Sequence, residues 1–504
     1  MQILTPARRW IALGILCLSL LLSVVDNTIV NVAIPTLNHD LGASTTQLQW
    51  IVDAYTLVFS ALLLAMGHFG DRFGRKRALQ LGLGLFAVTS GLAALATTSG
   101  QLIGARALMG IGAALIFPAT LAILVNVFTE PKERAAAIGI WTAMVGVAVA
   151  IGPITGGLLL EHFWWGSIFV VNIPVALIAI ALGVWLLPES RDQAVGAMDY
   201  RGLVLSVAGV GMMVWAIIEG PSWGWTSPVI IAALVCSVVL LTLFAFVERR
   251  MAHPLLDVQL FANARFTAAS ISVTTAFFAL FGFIFLITQF LQLIQGFTAL
   301  QAGIRTLPFA IATGVMSPVA IALMHRFGSK VIVAIGLLVM AAGFVLASTV
   351  KVDSPYVGTV LASMVIIAAG LGLATSPATE SIMGALPPEQ AGAGSAVNDT
   401  TREFGGTLGV AVVGSVFLSI YGAKAVDGYR SLGLPKQFEV IVRESLGGGL
   451  AVAAHLPPAP SLALKHIVQQ AFIDGLARGS LVAAAVVLVG AVIAWKFLPA
   501  RAQF

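Results

Sequence analysis

Charge is scarce in this sequence. Only 10% of its 504 residues are Asp, Glu, Lys or Arg, against about 25% in an ordinary soluble domain, so the chain cannot clothe a water-facing surface. The 59% of hydrophobic residues also excludes a disordered chain. Cysteine is almost missing: Cys17 and Cys236 both lie in apolar runs, which leaves neither a disulfide framework nor a metal-ligand spacing. The seven histidines fall in expected loops or helix ends. A net charge of +5 is not gathered into a basic patch beyond one short run, which argues against a nucleic-acid partner. HExxH and GxxxxGK are both absent, so neither an intramembrane metalloenzyme nor an ATP-driven pump is indicated.

What the chain has in excess is uninterrupted apolar sequence. About 20 such residues cross a bilayer as a helix, and the runs do not alternate as barrel strands would. Fourteen spans are predicted, at 10–34, 48–66, 78–97, 101–126, 135–158, 166–187, 201–219, 227–247, 267–292, 302–324, 330–350, 355–380, 393–421 and 477–498. The fold class is therefore an all-α membrane protein. The first run is too long for a signal peptide and lacks a small-residue cleavage site. Basic residues set the orientation: 17 of the 27 fall in one set of loops, from Arg8 and Arg9 through Arg72–Arg77 to Lys496 and Arg501, whereas the short opposite loops hold only Lys351. Both termini are expected to be cytoplasmic and segment 422–476 external. That segment reads as a loop, broken by Gly447-Gly448-Gly449 and Pro457-Pro458, with a short interfacial helix from Ser461 to Ile473.

The chain also repeats itself. Asp71-Arg72-Phe73-Gly74-Arg75-Lys76 after span 2 matches His325-Arg326-Phe327-Gly328-Ser329-Lys330 after span 10. Gly110-Ile111-Gly112 and Pro118-Ala119-Thr120 in span 4 match Gly370-Leu371-Gly372 and Pro377-Ala378-Thr379 in span 12. Pro131-Lys132-Glu133-Arg134-Ala135 then faces Pro387-Pro388-Glu389-Gln390-Ala391. The offset is eight spans, which two homologous six-helix halves explain if two further helices lie between them. The expected domains are a six-helix bundle at 1–190, two inserted helices at 191–250 and a second six-helix bundle at 251–504.

These motifs make the chain resemble the major facilitator superfamily, and within it the fourteen-helix drug:proton antiporters of the quaternary-ammonium and multidrug type. Gly67 to Arg77 is similar to the superfamily's loop motif between helices 2 and 3. Leu102 to Gly112, centred on Arg106, resembles the helix 4 motif of proton-coupled members. Gly152-Pro153-Ile154-Thr155-Gly156-Gly157 resembles the antiporter motif of helix 5, with Ala148 where a glycine is usual, and Asp26 to Pro35 resembles the helix 1 motif of the fourteen-helix branch. The resemblance implies a 6+2+6 major facilitator fold.

Charges inside the spans can be weighed physically, because a charge at bilayer depth is costly and marks function. Asp26 lies eight residues, about 12 Å, from the expected outer end of span 1, and Asp53 about five residues, roughly 8 Å, below the start of span 2. Arg106 lies at a similar depth in span 4. Asp26 is assigned as the main proton carrier, Arg106 as the group that stabilises its carboxylate, and Asp53 as an accessory acid. Gly67, Asp71, Arg72, Gly74 and Arg75 form a cytoplasmic gating motif: the glycines permit a tight turn, Asp71 accepts from N–H groups at a helix start, and the arginines pair with neighbouring acids. Gly152, Pro153, Gly156 and Gly157 form a hinge that removes a backbone hydrogen bond and clears one helix face. Asp399, Arg402 and Glu403 on span 13, with Gln289 and Gln292 on span 9, are the candidates for a substrate cavity. No acid occurs between Val258 and Val352, so spans 9, 10 and 11 offer a cation no carboxylate.

The sequence thus reads as a proton-coupled multidrug efflux transporter that exports lipophilic, often cationic compounds by alternating access with H+ antiport. The alternative is the same machinery acting on a lipid or a specific metabolite or antibiotic. Its expected partners are a small lipophilic substrate, H+ and the lipid bilayer, with no cofactor beyond the proton gradient. It is expected to act as a monomer in the inner membrane of a bacterium.

Overall fold

The computed structural model describes residues 6–191, 199–251, 254–386 and 391–499, and among these no strand occurs. Fourteen helices are long and apolar enough to cross a membrane. They are α1 (Ala7–Leu41), α2 (Thr45–Phe73), α3 (Arg75–Ala94), α4 (Ser99–Val127), α5 (Lys132–His162), α6 (Ser167–Leu186), α7 (Tyr200–Trp223), α8 (Pro228–Glu248), α9 (Ala264–Ile294), α10 (Ala299–Phe327), α11 (Ser329–Ala347), α12 (Tyr356–Met383), α13 (Val397–Ser431) and α14 (Pro458–Phe497). Each coincides with a predicted span. Large apolar side chains point outward from them, including Trp185, Val88, Val238 and Val492. That is the surface expected where the solvent is hydrocarbon rather than water.

Several helices outrun their spans. The first continues through Asn38-His39-Asp40 to Leu41, and α13 runs to Ser431. The interfacial helix expected at Ser461–Ile473 is instead the first part of α14, which is continuous from Pro458 to Phe497. Hydropathy marks where a helix meets lipid, and these extensions carry polar residues while remaining helical. The triple glycine, expected as a break, lies inside a short helix, Leu446–Ala454, capped by the Ser445 side chain. Two helices are interrupted just before a proline, α6 at Val171 before Pro174 and α10 at Thr306 before Pro308, because proline lacks the N–H that would continue the ladder.

The chain forms two compact units. One comprises Met1–Ala33, Ala54–Gly211 and Ser237–Val258; the other comprises Ile34–Asp53, Met212–Cys236 and Gln259–Phe504. Their borders fall within α1, α2, α7 and α8. In the first unit α3 and α4 meet at a glycine seam, where a Cβ on Gly112 would lie 3.0 Å from the Gly82 carbonyl. In the second, α11 and α12 meet in the same manner, a Cβ on Gly370 lying 2.6 Å from the Gly336 carbonyl. Gly74 and Gly328, at matching points of the repeated loop motif, have φ of 118° and 84°. A residue with a side chain rarely takes such a conformation, which explains why both copies keep glycine there. The repeat partner Pro387–Gln390 and the basic residue Arg501 lie outside the described residues.

Candidate functional site

Among the described residues of the first unit, one ion pair is wholly withdrawn from solvent. Arg106 on α4 donates from Nη1 to Asp26 Oδ2 on α1, and neither side chain has any exposed surface. Both residues come from predictions of depth, but α1 runs seven residues past the expected end, so Asp26 lies about 22 Å from Leu41. It therefore sits nearer the middle of its helix than the sequence suggests. Tyr55 on α2 lies under the guanidinium, its ring centroid 4.3 Å from Cζ, and its hydroxyl donates to the Ser23 carbonyl of α1 (3.0 Å). Asp53, two residues earlier on α2, falls in the second unit and is fully buried there.

A third partner was not anticipated from sequence. Asn172 donates through Nδ2 to Asp26 Oδ1 (2.7 Å) and to Ser90 Oγ on α3 (3.2 Å). The interruption of α6 places it: Asn172 opens the second stretch of the helix, beyond the turn at Val171. A lone amide in an apolar span, two residues before a proline, was the available signal.

The motif on α5 packs directly against this part of α1. A Cβ on Gly152 would come within 2.9 Å of Thr28 Cβ, and one on Gly156 within 2.6 Å of Ile29 Cγ1. Gly157 is buried beside them, and Pro153 lies within the helix. The glycines therefore let α5 press on the turn of α1 that carries Asp26.

The loop between α2 and α3 departs from expectation in two details. Gly67 is helical within α2, where its Cβ position faces Pro118 of α4 at 3.5 Å, and only Gly74 makes the turn. Asp71 pairs with Arg75 (2.7 Å) across that turn. The N–H at the start of α3 is taken instead by Glu189, which accepts from Lys76 N (3.1 Å) and lies 3.7 Å from Arg77. A carboxylate there complements the positive end of the helix. Arg72 packs beside Phe73, and Arg9 pairs with Glu133 (3.1 Å).

In the second unit the charges of α13 are tied to α12 through neutral groups. Arg402 donates to Thr379 Oγ1 (3.1 Å), Thr379 donates to Asn398 Oδ1 (3.1 Å), and Asn398 Nδ2 lies 3.4 Å from Asp399 Oδ1. Glu403 is one helical turn beyond Asp399. Gln289 donates to the Phe285 carbonyl of its own helix (2.9 Å), and Gln292 falls in a wider turn at the end of α9. Sequence places these residues on α13 and α9 but does not reveal Thr379 or Asn398 as the links.

The segment between α13 and α14 is also built rather than loose. Asn38 at the end of α1 donates to Ala43 O (2.6 Å) and Ser445 Oγ (2.9 Å), and Thr45 donates to Glu444 O (2.5 Å). The Tyr421 hydroxyl reaches the carbonyls of Val442 (3.0 Å) and Ser445 (2.8 Å). Gln49 donates to Val410 O (3.2 Å) and Ala411 O (3.1 Å) of α13. Arg430 donates to Glu439 (2.8 Å), and that hydrogen bond holds the Glu439 carboxyl below its usual range.

Comparison with known proteins places this arrangement among transporters. The pattern of the Major Facilitator Superfamily matches residues 16–199 and 198–410. The chain is 38% identical to the multidrug efflux pump LfrA of Mycolicibacterium smegmatis, over 97% of this chain and 96% of that one. It is 33% identical to the methyl viologen resistance protein SmvA of Salmonella typhimurium, over 98% and 99% respectively. Among solved structures it resembles a bacterial homologue of the human lysosomal transporter Spinster, in an inward-facing, unoccupied conformation. The TM-score is 0.66 at 18% identity, covering 99% of this chain and 100% of that one, which is a likeness of fold.

Proposed function

We propose that this chain, which belongs to the major facilitator superfamily, exports drugs across the inner membrane of a bacterium by alternating access coupled to H+ antiport. Kinship over nearly the full length with a multidrug efflux pump and a methyl viologen resistance protein supports drug export. The observation that carries the proton-coupled reading is the solvent-free pair of Asp26 and Arg106. A carboxylate kept at membrane depth by one guanidinium has a chemical use when it takes up and releases a proton. Asp26 is the carrier in this reading, Arg106 balances its deprotonated form, and Asp53 serves as an accessory acid. Gly152, Pro153, Gly156 and Gly157 hold α5 against the carrier and limit proton leak. Gly74, Asp71 and Arg75, with Glu189, lock the cytoplasmic loop in one conformation. Asp399, Arg402, Glu403, Gln289 and Gln292 contribute to the substrate path, and with no acid on α10 or α11, recognition of a cation rests on α13. The termini are cytoplasmic and the chain works as a monomer.

The energy suffices. A potential of 100 mV supplies about 2.3 kcal/mol per proton and one pH unit about 1.4 kcal/mol, together enough for a several-hundredfold gradient of a neutral substrate. Expression in cells lacking their own drug pumps is expected to lower accumulation of a lipophilic cationic dye, and a protonophore to abolish the difference. Dye levels unchanged by the protein, or a protonophore without effect, would count against this function.

Alternating access also requires contacts that part in each cycle, and those of Asn38 and Thr45 with Ser445 and Glu444 are suited to it. A disulfide formed after Asn38→Cys with Ser445→Cys is expected to stop dye export, and reductant to restore it. Undiminished export by the oxidised protein would show that these contacts stay closed throughout.

A further inference from the structure

A proton carrier must be held in two chemical forms, and Arg106 can serve only one of them. A guanidinium donates hydrogen bonds and accepts none, so it suits the Asp26 carboxylate and offers nothing to the acid O–H. The other group on Asp26 is the amide of Asn172, on the oxygen that Arg106 does not take. An amide carries both a donor and an acceptor. The second contact of that amide, Ser90 Oγ, is equally reversible: it now accepts from Asn172 and donates weakly to Met109 Sδ at 4.0 Å. All three side chains, Asp26, Asn172 and Ser90, are almost wholly buried, so water is not at hand to replace a lost partner.

We infer that Asn172 is a positioning residue for proton coupling, keeping Asp26 aligned in both its charged and its neutral form. With Asp26 ionised, Nδ2 donates to Oδ1 as observed. When Oδ1 takes up the proton, rotation of the amide turns its carbonyl oxygen toward Asp26 O–H, and the Ser90 hydroxyl turns from Met109 to donate to the same oxygen. No bond other than hydrogen bonds changes, and the proton remains on Asp26 until release. The charged and titratable groups around this centre are Arg106 from α4 and, behind it, Tyr55 from α2. The adjoining α3 and the start of the second stretch of α6 bring the neutral Ser90 and Asn172, and α5 brings glycine. This inference rests on Asp26 being the carrier.

The test is the external-pH dependence of substrate-induced proton release in vesicles bearing wild type, Asn172→Leu, Asn172→Thr, Ser90→Ala or Asp26→Asn. Losing the amide donor weakens the carboxylate more than the acid, so Asn172→Leu is expected to move the midpoint upward by about 0.5 to 1 pH unit. Asn172→Thr, whose hydroxyl both donates and accepts, should recover part of that shift, and Ser90→Ala should produce a smaller one in the same direction. A midpoint unchanged in both Asn172→Leu and Ser90→Ala, with only the amount of folded transporter reduced, would make Asn172 a packing residue and overturn the inference. Release that persists in Asp26→Asn would instead overturn the reading on which it rests.

Discussion

Helices α4 and α12 hold matching places in the two halves of the repeat, and they are built alike along one edge. Both carry a Gly-x-Gly that admits neighbouring backbone, although the two glycines exchange neighbours: in α4 Gly110 faces the Tyr55 carbonyl and Gly112 that of Gly82, while in α12 Gly370 faces the Gly336 carbonyl and Gly372 that of Thr313. One turn before the first glycine they part company. Arg106 stands there in α4 and is fully buried, whereas the same position in α12 is Ile366. The second half of the repeat carries Asp399, Arg402 and Glu403 on α13 instead, with Arg402 bonded to Thr379 of α12. Packing constraints recur wherever the scaffold recurs, because a glycine seam is set by how closely two backbones approach. Charge follows no such rule, because each buried ion needs its own partners.

The comparison can be broken most forcefully at Arg106. Arg106→Leu leaves Asp26 buried without its counter-ion, a loss of about 3–5 kcal/mol, and little folded protein is expected. Adding Asp26→Asn should restore folding but not proton release. Ile366→Ala, at the matching site, should leave release intact, measured in the same vesicles. If Ile366→Ala abolished coupling, the two halves would not differ as argued.

Crowding the seam of α1 and α5 comes next. Gly156→Ala drives a Cβ against Ile29 and is expected to cost about 1–3 kcal/mol, read as a lower melting temperature in detergent. Gly139→Ala on the same helix meets nothing within 4 Å and should be neutral. Equal effects from both would mean that the seam is not tight.

The smallest effect is expected at α13. Glu403→Gln should reduce resistance to cationic compounds several-fold while leaving export and proton release with neutral ones unchanged. A uniform loss across both classes would move Glu403 from substrate recognition to coupling or to structure.

Much of this architecture was legible in the sequence because the bilayer imposes it. Fourteen apolar stretches appear as fourteen helices, and the repeated loop glycine recurs with positive φ in both copies. Depth arithmetic was enough to suggest that Asp26 and Arg106 meet. It misjudged how far from the helix end they do so, since Asn38-His39-Asp40 reads as loop although the helix continues. Partners distant in sequence were harder to see. Asn172 is one polar residue among apolar ones, and nothing local says that it turns toward Asp26 rather than toward the neighbouring proline break. Glu189 likewise reads as part of a linker, and only the folded chain brings it to the start of α3 in place of Asp71. Ser445 is one serine in a segment that hydropathy treats as loop, yet it caps a helix and accepts from Asn38.

The central claim is that one buried carboxylate carries the proton. Its most direct test is proton release from acidified inside-out vesicles on addition of a lipophilic cation, with wild type set against Asp26→Asn at equal expression. Release in wild type and none in Asp26→Asn is the result predicted. Equal release from both would contradict the claim and place the proton on another acid, with Asp53 and Glu403 the next to examine.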